Sequence, residues 1–407
     1  MLKCGLLGEK LGHSYSPRIH AELADYEYKL YEIAIDDLGD FVRKGDWNGL
    51  NVTIPYKKMV VPFCDDLSPI AKRIGSVNTL VKRADGSIYG DNTDAIGFEC
   101  LMKKNNVDPK GKKTLILGNG GACVSVKAVL ENAGANVVVI SRSGENNYDN
   151  LYLHEDARII VNTTPVGMYP NNGMSPVDLK LFPRCEAVLD IIYNPERTAL
   201  VMQAEGLNLT CDTGLYMLVA QAKKSSELFA DITISEKKID EIEKKLSYDM
   251  RNIIIVGMPG SGKTTIAERL GQLTGHKVAE LDEIFEEKYK ISAADCIKTQ
   301  GEEQFRKMET EVIREAGKSS GLIISTGGGV VTRPENYPLL HQNGTIFWIK
   351  RDISKLPVDG RPISQSNDLN KLYEIRRPMY ERFADHMIEN DKTIDEAAEK
   401  IIKIVRS

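Results

Sequence analysis

The stretch that most restricts what this chain can fold into is GMPGSGKTT, residues 257–265, set between the apolar run NIIIV and the helical TIAERL. It fits GxxxxGK followed by Ser or Thr, in the strand–loop–helix setting that gives the pattern its chemistry. In such a loop the backbone N–H groups wrap phosphate oxygens, and glycines let the backbone approach without a Cβ in the way. Gly260, Ser261, Gly262, Lys263, Thr264 and Thr265 are therefore candidate ATP ligands, with Lys263 reaching the β/γ-phosphates and Thr264 available to Mg2+. The loop demands a parallel sheet around it, and the rest of the chain agrees. Apolar runs TLILG (114–118), NVVVIS (136–141), AVLDII (187–192) and LIIST (322–326) alternate with helical patterns, which predicts an α/β protein.

A chain of 407 residues exceeds what one core usually serves, so more than one domain is expected. The charged stretch 234–250, ISEKKIDEIEKKLSYDM, carries Ile234, Ile239, Ile242 and Leu246 at helical spacing and reads as the end of one domain followed by a short connector at 247–250. The boundaries predicted are 1–247 and 250–407. A weaker division falls at about 100–112, where KKNNVDPKGKK is polar and turn-rich.

Downstream of the phosphate loop, AELDEIF (279–285) offers Glu280 and Asp282 at alternate positions, one suited to magnesium and the other to a hydroxyl. GEEQFRKME supplies Arg306, STGGGVV supplies Gly327, Gly328 and Gly329, and RRPMY supplies Arg376. Arginines recognise carboxylates bidentately, and glycines allow backbone contact with a small ring. Taken together and in this order, residues 251–407 resemble shikimate kinase. The resemblance implies that Asp282 orients and deprotonates the 3-hydroxyl of shikimate, and that Arg306, Arg376 and the three glycines hold its ring and carboxylate. It also implies that Lys263 acts in phosphoryl transfer, that Thr264 and Glu280 serve Mg2+, and that Arg361 closes over ATP. The family usually has Asp at the position of Glu280. Another small P-loop kinase shares the nucleotide loop but lacks this acceptor set.

In the first half, LILGNGGACVSVKAVLENAGANVVVISRS (115–143) runs strand, glycine turn, helix, strand. Its GxGG is a partial dinucleotide fingerprint supported by βαβ spacing. Where an acidic side chain would hold the ribose of NAD, Arg142 stands between Ser141 and Ser143, which favours the 2′-phosphate of NADP. The N-terminal hundred residues hold GHSYSPRIH, NVTIPYKK, GSVNTLV and YGDNTDAIGF, clusters of hydroxyl and amide side chains flanking Lys57 and Asp94, a pair available for proton transfer. Their spacing alone does not bring those two together.

These motifs, with NTTPVGM (162–168), DIIYNPERT (190–198) and GLYMLVAQA (214–222), resemble shikimate dehydrogenase across 1–247. That resemblance implies a two-lobed enzyme, with an α/β substrate lobe (1–100 plus 213–247) and a Rossmann NADP lobe (101–212). It implies Lys57 and Asp94 as the catalytic pair, and Ser14, Ser16, Thr53, Asn78, Tyr193 and Gln221 around shikimate. NADP(H) would meet Gly118, Asn119, Gly120, Gly121, Ala122, Ser141, Arg142, Ser143 and Thr163, with Gly214 and Met217 beside the nicotinamide. A quinate-preferring dehydrogenase differs mainly near Ser14 and Ser16. His13 and His20 are read as structural, His13 fixing the SYS turn.

Composition sets the remaining limits. A net charge of -5 offers no global attraction to nucleic acid or anionic lipid, and no apolar run approaches the length that crosses a bilayer. The partners expected are small molecules, 3-dehydroshikimate and shikimate, with no nucleic acid and no membrane; monomer and homodimer both stay open. Residues 1–8 run into structured-looking sequence without a leader pattern, and seven scattered cysteines fit reduced thiols, so a cytoplasmic location is expected.

Overall fold

The computed structural model describes residues 1–12, 14–355 and 369–406. His13 and Arg361 lie outside the described residues. Contacts divide the chain into two compact units, the first made of Met1–Val166, Ser175–Tyr193 and Gln203–Glu243, the second of Gly167–Met174, Asn194–Met202 and Lys244–Ser407.

The first unit holds two sheets. One has six strands, β1 (Lys3–Gly8), β2 (Glu27–Glu32), β3 (Gly49–Val52), β4 (Asp66–Leu67), β5 (Thr79–Lys82) and β6 (Ile88–Asp91), in the order β2-β1-β3-β5-β6-β4. It is mixed, since β5 runs antiparallel to both β3 and β6. The other, from β7 (Lys113–Leu117), β8 (Asn136–Ile140), β9 (Ile159–Asn162), β10 (Ala187–Asp190) and β11 (Thr210–Asp212), is parallel in the order β11-β10-β9-β7-β8. Strand order reverses between β7 and β9, so the turn after β7 opens at the crevice where α/β sheets bind ligands. Helices Thr93–Lys104 and Leu215–Ala230 pack together, and the long helix also reaches β3 and β5. Ala95, Phe98 and Met217 from these helices share a core with Ile116, Val161 and Leu189 of the parallel sheet.

The second unit is built on β12 (Asn252–Gly257), β13 (Lys277–Glu280), β14 (Leu322–Ser325), β15 (Gly344–Lys350) and β16 (His386–Glu389), all parallel, in the order β13-β14-β12-β15-β16. The period of two decides which residue of β12 faces which layer. Ile253 and Ile255 pack with Ile266, Leu270 and Ile401 on one side, while Ile254 and Val256 pack with Phe305, Ile313 and Tyr380 on the other. Both faces are covered, as a run of four apolar residues requires.

One expectation changes. Residues 247–250, read as a connector, are the last turn of a helix spanning Lys237–Met250, so only Arg251 separates that helix from β12. Met250 is buried and Tyr248 packs beside a hydrophobic cluster, and that packing extends the helix past its amphipathic pattern.

Candidate functional site

In the first unit the structure joins Lys57 to Asp94. Asp94 stands in the first turn of helix Thr93–Lys104, where the positive end of the helix dipole favours a carboxylate. Asn92 caps that helix, its Oδ1 accepting from Ala95 N and from Ser125 Oγ. Lys57 follows β3, and its Nζ lies 2.6 Å from Asp94 Oδ2. Only 18% and 13% of the two side chains are exposed, so the pair is shielded yet reachable. Asp94 Oδ1 accepts from Asn78 Nδ2 at 2.8 Å. Gln221 is tied to the same cluster through Thr93 Oγ1, 3.4 Å from its Oε1.

Ser14 and Ser16 follow β1 and Thr53 follows β3, so all three stand beyond the C-terminal ends of adjacent parallel strands. Thr53 N donates to Leu7 O, and Ser16 N donates to Ser14 Oγ at 3.2 Å. Tyr193 meets the ring of Tyr15 edge-on at 6.0 Å. His20 is fully enclosed, bonded through Nδ1 to Tyr26 Oη and stacked on Tyr28; burial lowers its pKa to about 3, which suits a structural imidazole.

At the end of β7, Gly118 has φ +96°, a conformation only glycine adopts without strain, and it turns the chain into helix Gly121–Asn132. Asn119, Gly120, Gly121 and Ala122 form that turn and the start of the helix. Ser141 is buried after β8, whereas Arg142 and Ser143 are exposed. Thr163 spends its hydroxyl proton on Leu117 O at 2.8 Å, bracing β9 against β7. Gly214 precedes helix Leu215–Ala230, and Met217 is buried within it.

In the second unit one cavity of about 210 Å3 collects the acceptor set. Lys263, Thr264, Glu280, Asp282, Arg306, Gly327, Gly328, Gly329 and Arg376 all line it. Helix Lys263–Thr274 begins at the phosphate loop, and Lys263 Nζ donates to Met258 O at 3.1 Å. Ser261 is buried, while Thr264 and Thr265 are exposed. Arg376 Nη1 and Tyr380 Oη both donate to Gly328 O, at 3.1 and 2.6 Å, pinning the glycine loop. A Cβ on Gly329 would fall 2.0 Å from Arg306 Nη2, so the loop and the guanidinium share space only because that residue is glycine.

Arg306 is held by Glu309 Oε2 at 2.7 Å and Glu302 Oε1 at 3.1 Å. Burial works against its charge, but the two carboxylates outweigh it and keep its pKa above the ordinary value. At Arg376 burial outweighs the pull of the same carboxylates, and its pKa falls below the ordinary value. Burial and the neighbouring Asp282 push the Glu280 carboxyl up, and its Oε1 is buried without a partner. With Thr264 on the same wall, this is an oxygen set that suits Mg2+, which takes one or two protein ligands and completes its shell with phosphate and water.

Two residues escaped the sequence reading. Glu309, three positions after Arg306, is its buried counter-ion, and the i,i+3 spacing was the available signal. Arg351, just past β15, brings Nη1 to 3.5 Å from Gly260 O beside the phosphate loop. Nothing local in the sequence brings positions 91 apart together. Among the described residues no group of three or more His, Cys, Asp or Glu could hold a metal, and no helix is long and apolar enough to cross a membrane.

The geometry first defines a class. A glycine-turn parallel sheet beside an enclosed Lys–Asp pair is the frame of a dinucleotide-dependent oxidoreductase, and a phosphate loop opening on an arginine-lined cavity is that of a small-molecule kinase. Comparison with known proteins narrows both. The model for the shikimate dehydrogenase substrate binding domain matches residues 6–80, and the model for shikimate kinase matches residues 259–406. Shikimate dehydrogenase (NADP(+)) of Clostridium perfringens is 37% identical over 265 residues, 60% of this chain and 97% of that protein. A chorismate mutase/shikimate 5-dehydrogenase fusion protein from Clostridium acetobutylicum, 37% identical, superposes with a TM-score of 0.58 over 60% of this chain and 97% of its own. Shikimate 5-dehydrogenase from Thermus thermophilus, solved with NADP(H) and shikimate, is 30% identical with a TM-score of 0.55, over 60% and 99%. The chain belongs to the shikimate dehydrogenase family over that portion, and a shikimate kinase domain follows it.

Proposed function

We propose that the two halves, 1–247 and 250–407, catalyse consecutive steps on one cyclohexene acid. The first half reduces 3-dehydroshikimate to shikimate, and the second phosphorylates shikimate at the 3-hydroxyl. The hydroxyl that the first reaction makes is the one the second reaction consumes. The observation that carries this reading is the pairing in one chain of the Lys57–Asp94 centre with an acceptor cavity lined by Asp282, Arg306 and Arg376.

In the reduction NADPH supplies the hydride, and the carbonyl oxygen needs one proton. Asp94 anchors Lys57 Nζ where it hands over that proton as the hydride arrives, and solvent restores it afterwards. Asn78, Gln221, Ser14, Ser16, Thr53 and Tyr193 orient the polyol, and Arg142 meets the 2′-phosphate. In the phosphorylation, Arg306 and Arg376 bind the carboxylate and Asp282 takes the proton of the attacking hydroxyl. Lys263 and the loop backbone hold the phosphates, Thr264 and Glu280 hold Mg2+, and Arg351 supports the loop at Gly260.

The test is a mixture of purified protein, 3-dehydroshikimate, NADPH and Mg-ATP, omitting one component at a time. Loss of NADPH absorbance without ATP, and phosphorylated product only with all components, is the expected result. Phosphorylation of some other acceptor, with shikimate left untouched, would overturn the reading of the second half.

A further inference from the structure

We infer that Ser225 is a positioning residue for the dehydrogenase centre, acting through Asn78 on Asp94; the inference rests on the reading of Lys57 and Asp94 given above. Ser225 lies on helix Leu215–Ala230, is fully buried, and makes no hydrogen bond to Lys57 or Asp94. Its oxygen is nonetheless the meeting point of four groups from three other places in the fold and its own helix. Asn51 Nδ2 donates to it at 2.7 Å, Thr79 Oγ1 and Thr93 Oγ1 each lie 3.0 Å away, and it reaches Gln221 O at 3.0 Å.

Counting donors and acceptors orders this cluster. A serine hydroxyl has one proton and two lone pairs. The proton goes to Gln221 O, which only accepts. One lone pair takes Asn51 Nδ2, whose own Oδ1 is occupied by Tyr28 Oη at 2.9 Å. The second takes the hydroxyl proton of Thr93, which lies farther from Asn78 Oδ1 than Thr79 does, 3.2 against 3.0 Å. Thr79 is then left to donate to Asn78 Oδ1 at 3.0 Å, and Thr93 N donates to the same oxygen at 2.7 Å. Both lone pairs of Asn78 Oδ1 are thereby filled, so the carboxamide has one orientation. Its Nδ2 faces Asp94 Oδ1 and leaves Asp94 Oδ2 to Lys57.

Without the Ser225 oxygen the order fails. The Thr93 hydroxyl must turn to Thr79 Oγ1, Asn78 Oδ1 or Gln221 Oε1, 3.1, 3.2 and 3.4 Å away, and the buried Asn51 amide keeps only its longer bond to Thr79 Oγ1 at 3.4 Å. The Thr93 and Thr79 hydroxyls then compete for the one lone pair of Asn78 Oδ1 that Thr93 N leaves open, so the carboxamide keeps its sense but shifts, and Asp94, bonded to its Nδ2, shifts with it relative to Lys57.

The experiment is a double-mutant cycle in the full chain with Ser225→Ala, Asn78→Ala and both together, read as kcat and KM for shikimate oxidation. Ser225→Ala is expected to lower kcat about tenfold with KM changed less than about threefold, and to cost less than about twofold once Asn78 is Ala. NADPH binding by fluorescence, at groups the network does not touch, reports that the first unit is folded. If Ser225→Ala fails that check, Thr93→Val takes its place in the cycle with the same expectation. An equal loss in both backgrounds means a general structural role and overturns the inference, as does full activity of the single variant. A parent chain with no dehydrogenase activity would instead overturn the reading of the Lys57–Asp94 centre.

Discussion

Gly329→Ala tests how the kinase cavity is assembled, because the cost of that one methyl can be worked from the structure. Gly329 has φ −103°, which alanine adopts freely, so no backbone strain enters. The new Cβ would fall 2.0 Å from Arg306 Nη2, and ordinary van der Waals contact begins at 3.4 Å, so the guanidinium must retreat by about 1.4 Å. It has little freedom to do so, since Arg306 and Glu309 are each 7% exposed at the side chain and bonded at 2.7 Å. Such a retreat breaks that bond or drags Glu309 into Gly327, whose neighbours already include its Oε1. A misplacement of about 1 Å in a substrate-positioning group costs on the order of 10²-fold. The expected result is a fall of that size in kinase kcat/KM for shikimate, with KM for ATP changed less than about twofold and dehydrogenase activity intact. In an Arg306→Ala background the same methyl should cost less than about threefold, because the group it displaces is gone. Kinase kcat/KM within about threefold of the parent after Gly329→Ala alone would refute the argument that Arg306 sits where the glycine permits.

Other perturbations separate the remaining claims. Lys57→Ala should lower dehydrogenase kcat by about 10²–10⁴-fold while the kinase keeps its rate within about twofold, checked by assaying both reactions on one preparation. Arg142→Asp should raise KM for NADPH about tenfold and improve use of NADH, because a carboxylate repels the 2′-phosphate and accepts the ribose hydroxyls; steady-state kinetics with both cofactors decides it. In the second unit Glu196 accepts from Arg251 Nε at 3.1 Å and from Ser247 Oγ at 3.3 Å. Burial opposes its charge, yet Arg251 outweighs burial and holds the carboxyl below its ordinary pKa. Arg251→Met should destabilise this unit at pH 7 by about 2–3 kcal/mol, less than the about 3–5 kcal/mol of a fully buried pair, since 19% of the Glu196 side chain meets solvent. A depressed folded pKa stabilises above the unfolded value of about 4.3, and that gain is lost as pH falls through the folded pKa. The gap between parent and variant should therefore close in that acid window. Urea unfolding followed by Trp348 in a Trp47→Phe chain measures it, and a gap constant from pH 7 to pH 3 would contradict the pairing.

What could be read without the structure, and what could not, follows from the range of the interactions. The phosphate loop and the turn at Gly118 are local: neighbouring residues set the backbone shape, and a strand and helix flank each. The alternation of apolar runs was enough for parallel sheets because strands buried on both faces leave a continuous signature, as Ile253 to Val256 do. Lys57 and Asp94 sit 37 residues apart, and their contact depends on β3, on the strand pair β5–β6 and on the Asn92 cap, none of which their spacing announces. Helix Lys237–Met250 outran its reading because Tyr248 and Met250 gain from tertiary packing that the pattern of charges does not encode. Ser225 is the extreme case: its partner Asn51 is 174 residues away, and a serine in a helix carries no functional mark by type. Its meaning comes only from counting protons and lone pairs in the folded state. Polar side chains proposed to touch substrate can be picked out by their chemistry, whereas those that fix the orientation of such groups become visible only when every buried donor has been given an acceptor.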